Sequence, residues 1–244
     1  MGRMTDAVKH LLIINVILFV ATQIYGDQMF TWFSLYYFEN PNFEWWQVVT
    51  HMFMHGSFFH ILFNMYALWA FGSPLEQMWG RNKFLFFYFS AGLGAALLHT
   101  GVNYYIFQDG LQALVDHGVD KNQIMEVISG GQYSPAWNDL IGKDKVDGFL
   151  SAFNTPAVGA SGAIYGILVA FAFAFSEAEL MLIFLPIPIK AKYFVPLLIL
   201  GDLIFGFTGT ATGIAHFAHI GGAIAGFIMM WYWKKNQFDS NRWN

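Results

Sequence analysis

The chain has 244 residues, of which 56% are hydrophobic, 19% aromatic and only 11% charged. Soluble domains carry about 25% charged residues, so the charges here are too few for a water-facing shell, and the same balance excludes disorder. The net charge of −4 leaves no basic surface for nucleic acid. The absence of cysteine excludes a disulfide, a cysteine nucleophile and a thiolate metal site. Mean hydropathy is +0.45, and the lipid bilayer is the natural solvent for such a chain.

A spanning helix needs about 20 mostly apolar residues. In chain order the candidates are Leu11–Tyr25, Phe58–Phe71, Phe84–Phe107, Ala157–Phe175, Tyr193–Phe207 and Ile214–Trp233. A signal peptide is the alternative for the first segment, because Lys9 precedes an apolar run. No clean small-x-small cleavage site follows Phe19, which favours a retained span. Between the first and second segments, Asp27 to Thr50 is crowded with Phe30, Trp32, Phe33, Tyr36, Tyr37, Phe38, Trp45 and Trp46. Such side chains suit the headgroup level, and the segment is expected to lie on the membrane. Gln108 to Pro156 holds seven of the sixteen acids and carries a weak helical pattern over Gln112–Val127. It is expected to be an extracytoplasmic insertion, either a lid over a substrate or a tolerated loop. Ser176–Lys192 includes Leu-Pro-Ile-Pro-Ile at 185–189, where alternate prolines oppose a helix and predict an extended connector.

Lys and Arg favour cytoplasmic segments. With the N-terminus inside, nine of the twelve basic residues fall inside: Arg3, Lys9, Arg81, Lys83, Lys190, Lys192, Lys234, Lys235 and Arg242. Lys121, Lys143 and Lys145 share the long outer segment. Six spans with both termini cytoplasmic follow, and the lack of a targeting extension points to a bacterial inner membrane.

Polar groups within spans cost several kcal/mol unless paired, on the order of 2.5–3.5 for a charge on insertion scales. Here they are His60, Asn64, His99, Ser161, Asp202, His216 and His219, with His51 and His55 at the head of the second span. Ser161 is flanked by Gly159 and Gly162 at the outer start of the fourth span, which opens the backbone around its hydroxyl. Gly162 and Gly166 alone would suggest a helix-packing face. In the sixth span His219, Gly222 and Gly226 share one helix face at i, i+3 and i+7. Pressing the two glycine faces together would bring a hydroxyl and an imidazole to one depth, which is the pairing of a nucleophile with its base. Gly222 and Gly226 fall at the wrong offset for His216 to take that place. His60 and Asn64 lie one turn apart on the second span. With the Ser161 N–H they could stabilise an oxyanion, or they could simply join helices. Asp202, about one and a half turns from the outer end of the fifth span, could pair with a polar group near the site, but a structural or interfacial role is expected.

His51-x3-His55-x4-His60-x3-Asn64, Gly159-x-Ser161-Gly162 and His219-x2-Gly222-x3-Gly226 occur in this order, and together they resemble the rhomboid intramembrane serine proteases. The resemblance implies an all-α membrane protein: a six-transmembrane-helix rhomboid-like bundle, residues 1–244 as a single domain, with a membrane-lying first outer loop. The insertion, about 108–156, falls between helices 3 and 4. It implies Ser161 as nucleophile, His219 as general base and then acid, and His60 and Asn64 in the oxyanion hole. It also implies Tyr165 packed on the imidazole and Gly159, Gly162, Gly222 and Gly226 as supporting residues. Glu76 with Gly80 matches the acidic residue that follows the second span. Many members carry Trp-Arg in the first loop, where this chain has Trp45-Trp46-Gln47.

The implied substrates are transmembrane segments of other proteins, cut near their outer ends after local unwinding, with the bilayer as partner and no cofactor or metal. A metal or haem protein is an alternative, on His51 with His55 and His216 with His219, although no acidic ligand adjoins either pair in sequence. A non-catalytic relative that binds membrane clients is another, but both Ser161 and His219 are present. The oligomeric state is open.

Overall fold

The computed structural model describes residues 3–182, 185–208 and 215–240. The first segment is helix α1 (Asp6–Tyr25). It starts earlier than the apolar run that predicts it, because a distant residue caps it. Glu76 accepts the Ala7 and Val8 N–H groups at 2.8 and 2.9 Å and the Thr5 hydroxyl. A carboxylate there satisfies N–H groups that have no partner within the helix and complements the positive end of its dipole.

Two short helices, α2 (Asp27–Phe33) and α3 (Gln47–Thr50), with a 3-10 turn at His51–Phe53, build the aromatic first loop. Gln47 is fully buried at its centre. Its amide nitrogen donates to the Thr31 and Asn42 carbonyls at 3.0 and 2.8 Å, and its oxygen accepts the Tyr36 N–H at 3.3 Å. The Trp46 indole donates to the Trp32 carbonyl and the Thr50 hydroxyl to that of Phe33. The loop is thus braced through a neutral amide.

The second apolar segment is a helical rod of α4 (Phe58–Ala67), a π turn (Leu68–Gly72) and α5 (Ser73–Trp79), with helical backbone at the junctions. The π turn lies just before Pro74, whose missing N–H and ring disturb regular α-helical bonding. Gly80 turns the chain at φ +80 into α6 (Arg81–Asp116). At about 1.5 Å per residue the 36 residues of α6 exceed the thickness of a hydrocarbon core by many ångströms. Its far end leaves the main bundle and enters the insertion.

There α7 (Lys121–Ser129), α8 (Trp137–Ile141) and α9 (Lys143–Asn154) pack beside it. The single helix expected over Gln112–Val127 is in fact two. Its first part continues α6, Gly118 turns the chain at φ +84, and the Asp120 carboxylate caps α7 through the Asn122 and Gln123 N–H groups. Ile124 and Ile128 of α7 and Val146, Phe149 and Phe153 of α9 bury one helical face each against Phe107, Leu111 and Leu114 of α6. Tyr37 of the first loop enters the same core, 4.8 Å from Phe107 between ring centres. The insertion is an ordered helical cap fused to the first loop.

Helix α10 (Ser161–Ala174) leads to strands β1 (Glu179–Leu182) and β2 (Leu185–Lys190). The connector expected to be merely extended is an antiparallel hairpin, with Glu179 opposite Lys190 and Leu180 opposite Ile189. This hairpin departs from the all-α expectation. Alternate Pro186 and Pro188 place both missing N–H groups on one edge of β2, which a two-stranded hairpin can leave unpaired. Hydrogen bonds from Lys190 (2.8 Å) and Lys192 (2.5 Å) hold the Glu177 carboxyl down at about 2. Helices α11 (Ala191–Thr208) and α12 (His216–Ser240) complete the chain. Ile214, where the sixth apolar segment was placed, and Arg242 lie outside the described residues.

Among the described residues α1, α6 and α11 are long and apolar enough to cross a membrane, and α10 is a shorter apolar helix. Helices α6, α10 and α12 form the packed centre. The outward faces of α6 and α11 are apolar, with Leu97 and Phe207 each 77% exposed, as lipid contact requires.

Glu76→Ala should strip the cap from α1 and leave two backbone N–H groups and a hydroxyl unpaired, a loss of about 2–3 kcal/mol. The check is the thermal midpoint of the detergent-solubilised protein, which should fall clearly below wild type.

Candidate functional site

The site depends on how closely α10 approaches α12. A Cβ built at Gly222 would fall on the Gly162 carbonyl, and one at Gly226 would lie 2.7 Å from the Gly166 Cα. The helices therefore touch backbone to backbone, as small residues permit where lipid gives no hydrophobic drive for association. The third partner, α6, was not foreseen. Ala91 and Ala95 close over Gly166 and Gly162, and Gly94 meets Gly221 and Ala225. The run of small residues from Ala91 to Ala96 is the signal that could have disclosed it.

This packing sets Ser161, the first residue of α10, against His219 in the first turn of α12. Ser161 Oγ lies 2.8 Å from His219 Nε2. Tyr165, one turn along α10, stacks on the imidazole at 4.2 Å between ring centres and 13° between planes. On the other side His219 Nδ1 is 3.0 Å from Asp202 Oδ1. The same oxygen lies 2.6 Å from His216 Nδ1. Asp202 and both histidines are buried. Asp202, expected to be structural or interfacial with a polar partner near the site as the alternative, makes that alternative contact. Sequence spacing could not disclose it, because Asp202 and His219 sit on helices whose relative rotation no motif fixes.

The strand-like approach to Ser161 is held from two sides. Leu35 and Ala157 exchange N–H to carbonyl hydrogen bonds at 2.9 and 2.8 Å, and the Gly159 N–H donates to the His51 carbonyl at 2.9 Å. Gly159 has φ +122, a conformation that side chains rarely adopt. A Cβ there would lie 2.8 Å from His60 Nε2 and 3.5 Å from Ser161 Oγ. The missing side chain thus leaves free the space between the hydroxyl and the His60 ring.

Asn64, one turn along α4 from His60, is buried, and its amide nitrogen has no hydrogen-bond partner among the described residues. A buried donor without a partner costs about 1–3 kcal/mol and calls for an explanation. His55 packs edge-on against His60 at 4.9 Å. His51 Nδ1 bonds the Gln47 carbonyl, and His99 pairs with Asn103 on its own helix; neither joins the Ser161 cluster by a hydrogen bond. Asp202, His216 and His219 could together hold a metal ion, with ligand atoms within 4.8 Å of one another. In this arrangement the Nδ1 atoms of both histidines engage the Asp202 carboxylate.

The rhomboid domain family model matches residues 42–111 and 140–236, more than half of the chain. The chain belongs to the rhomboid family. Between the two matched stretches lie residues 112–139, which include α7, whereas α9 of the cap falls within the match. With its apolar helices the chain is an integral membrane protein. Rhomboid protease AarA of Providencia stuartii is 28% identical over 188 residues, which cover 76% of this chain and 55% of the relative. The chain thus spans about half the length of that curated relative.

Gly222→Ala should force α12 away from α10, separating Ser161 from His219 and lowering stability by about 1–3 kcal/mol as overpacking does. Gly101→Ala, which faces open space on α6, should leave the thermal midpoint unchanged or slightly raised. The two midpoints, measured side by side, check that the α10–α12 contact is the critical one.

Proposed function

We propose that this rhomboid is an intramembrane serine endopeptidase that cleaves transmembrane segments of other membrane proteins near their outer ends. The observation that carries this reading is the 2.8 Å approach of Ser161 Oγ to His219 Nε2 in a chain of this family. Ser161 attacks the scissile carbonyl while its proton passes to Nε2. The oxygen–carbon bond forms and the carbonyl oxygen takes up negative charge.

The Asn64 amide, the His60 ring and the Ser161 N–H at the start of α10 are the donors for that oxyanion. The unpartnered Asn64 nitrogen and the open space beside Gly159 support the assignment. Loss of one such donor typically costs about 10²–10³ in rate. His219 then returns its proton to the amine as the carbon–nitrogen bond breaks, and water hydrolyses the acyl-enzyme. Tyr165 holds the imidazole plane, and Gly159, Gly162, Gly222 and Gly226 hold the approach of the elements that carry the pair.

The distribution of Lys and Arg supports six spans with both termini cytoplasmic. Ser161 then sits at the outer end of α10, where water can reach it. A substrate helix must unwind to expose its backbone, so small or helix-weakening residues near the cut favour cleavage.

Ser161→Ala and His219→Ala should each abolish cleavage of a reporter transmembrane substrate in proteoliposomes while the protein still accumulates. A fluorophosphonate should label Ser161, located by mass spectrometry. Wild-type cleavage by Ser161→Ala, or labelling elsewhere only, would overturn the assignment.

A further inference from the structure

We propose that Asp202 is a positioning residue for this hydrolysis, fixing the His219 tautomer that can accept the Ser161 proton, so that Ser161, His219 and Asp202 form one relay. The proposal rests on the Ser161–His219 reading and adds a third member from α11. A neutral imidazole carries one proton and one lone pair on its ring nitrogens. Nδ1 lies 3.0 Å from Asp202 Oδ1 and Nε2 lies 2.8 Å from Ser161 Oγ. A carboxylate can only accept, so the Nδ1 proton points at Asp202 and the Nε2 lone pair at the serine hydroxyl.

As Ser161 attacks, its proton moves to Nε2 and His219 becomes an imidazolium. Its Nδ1 proton stays in place, hydrogen-bonded to a carboxylate that remains ionised. The Nε2 proton then passes to the leaving amine, and the imidazole returns neutral in the same tautomer. The ring cannot swing out of line, because Tyr165 stacks flat on it.

The surroundings of the carboxylate favour this role over a simple tie between α11 and α12. Asp202 is the single acid in a helix otherwise built of residues such as Leu197, Leu198, Ile199, Leu200, Ile204 and Phe205, where an ionised group is costly. A neutral Asn could join the helices at less cost. His216 approaches the same oxygen at 2.6 Å, with its ring at 87° to that of His219, and Phe205 stacks on His216. The carboxylate is therefore held in one orientation, as a group that sets a tautomer must be.

The test uses the full-length protein in proteoliposomes with a fluorogenic transmembrane peptide. Asp202→Asn should lower kcat by about 10²–10⁴, as loss of the tautomer-setting acid does in soluble serine proteases, with KM changed less than threefold. Asp202→Glu should recover a large part of kcat. A purely structural tie would instead lower the thermal midpoint and leave kcat of the folded fraction within threefold of wild type in Asp202→Asn, which would overturn the proposal.

Where Asp202→Asn does not fold, nitrogen-15 spectra of His219 in the wild-type protein decide. A protonated Nδ1 with an unprotonated Nε2 is expected, and the reverse overturns it. Ser161→Ala and His219→Ala run in parallel. If they cleave, the underlying assignment falls; if they are inactive while Asp202→Asn keeps wild-type kcat, only the role of Asp202 falls.

Discussion

The contact between α10 and α12 is the constraint on which the rest of the structure depends. Two helices meet with no side chain between them at Gly162, Gly166, Gly222 and Gly226. In water such a contact would forgo most of the apolar burial that drives association. In lipid little of that drive exists, and close backbone approach gains dispersion contacts that larger residues would prevent. The geometry is stiff, since a methyl group at Gly222 has nowhere to go. That stiffness is useful at one end of the contact, where Ser161 and His219 are held at hydrogen-bond distance by helices that cannot slide. Helix α6 completes the arrangement by closing Ala91 and Ala95 over the glycines of α10, so three elements fix the position of two side chains.

The polar groups nearest Ser161 inside this apolar frame are tolerated because they face one another. Ser161, His219, Asp202 and His216 form a continuous hydrogen-bonded chain across α10, α11 and α12. Removing any one member would leave a buried partner unsatisfied, and that cost exceeds the net gain of an ordinary hydrogen bond. Asn64 stands apart, with a buried donor that has no partner among the described residues. His55, packed against His60, likewise has buried ring nitrogens without a partner among the described residues.

Much of this was legible in the sequence, and the rest was hidden for physical reasons. The face formed by His219, Gly222 and Gly226 could be found because helical periodicity turns spacing into geometry within one helix. The start of α1 at Asp6 could not, since its cap is Glu76, about seventy residues away. Gln47 looked like the loss of a brace because the usual cation is missing, yet an amide with two donor hydrogens and an acceptor ties three backbone groups as well. The weak helical pattern over Gln112–Val127 breaks at Gly118, where a positive φ follows the end of α6. Asp202 could be named as a polar group in a span, but not given its partner. Its contact with His219 depends on the rotation of α11 against α12, and one helix alone carries no information about that angle.

The cap and the first loop bear on the site through one backbone path. Phe149 and Phe153 of the cap stack on Phe107 of α6, and Tyr37 of the first loop packs against the same ring. The Asn40 side chain donates to the Phe153 carbonyl at 2.8 Å. From this joint the chain runs to Ala157, paired with Leu35, and then to Gly159, whose N–H is held by His51. Two residues later it reaches Ser161. The insertion is thus neither a detached lid nor a slack loop. It is clamped to the first loop just before the peptide that positions the hydroxyl, and a disturbance of its aromatic core would reach Ser161 through hydrogen-bonded backbone rather than through a change in the helices that carry the site.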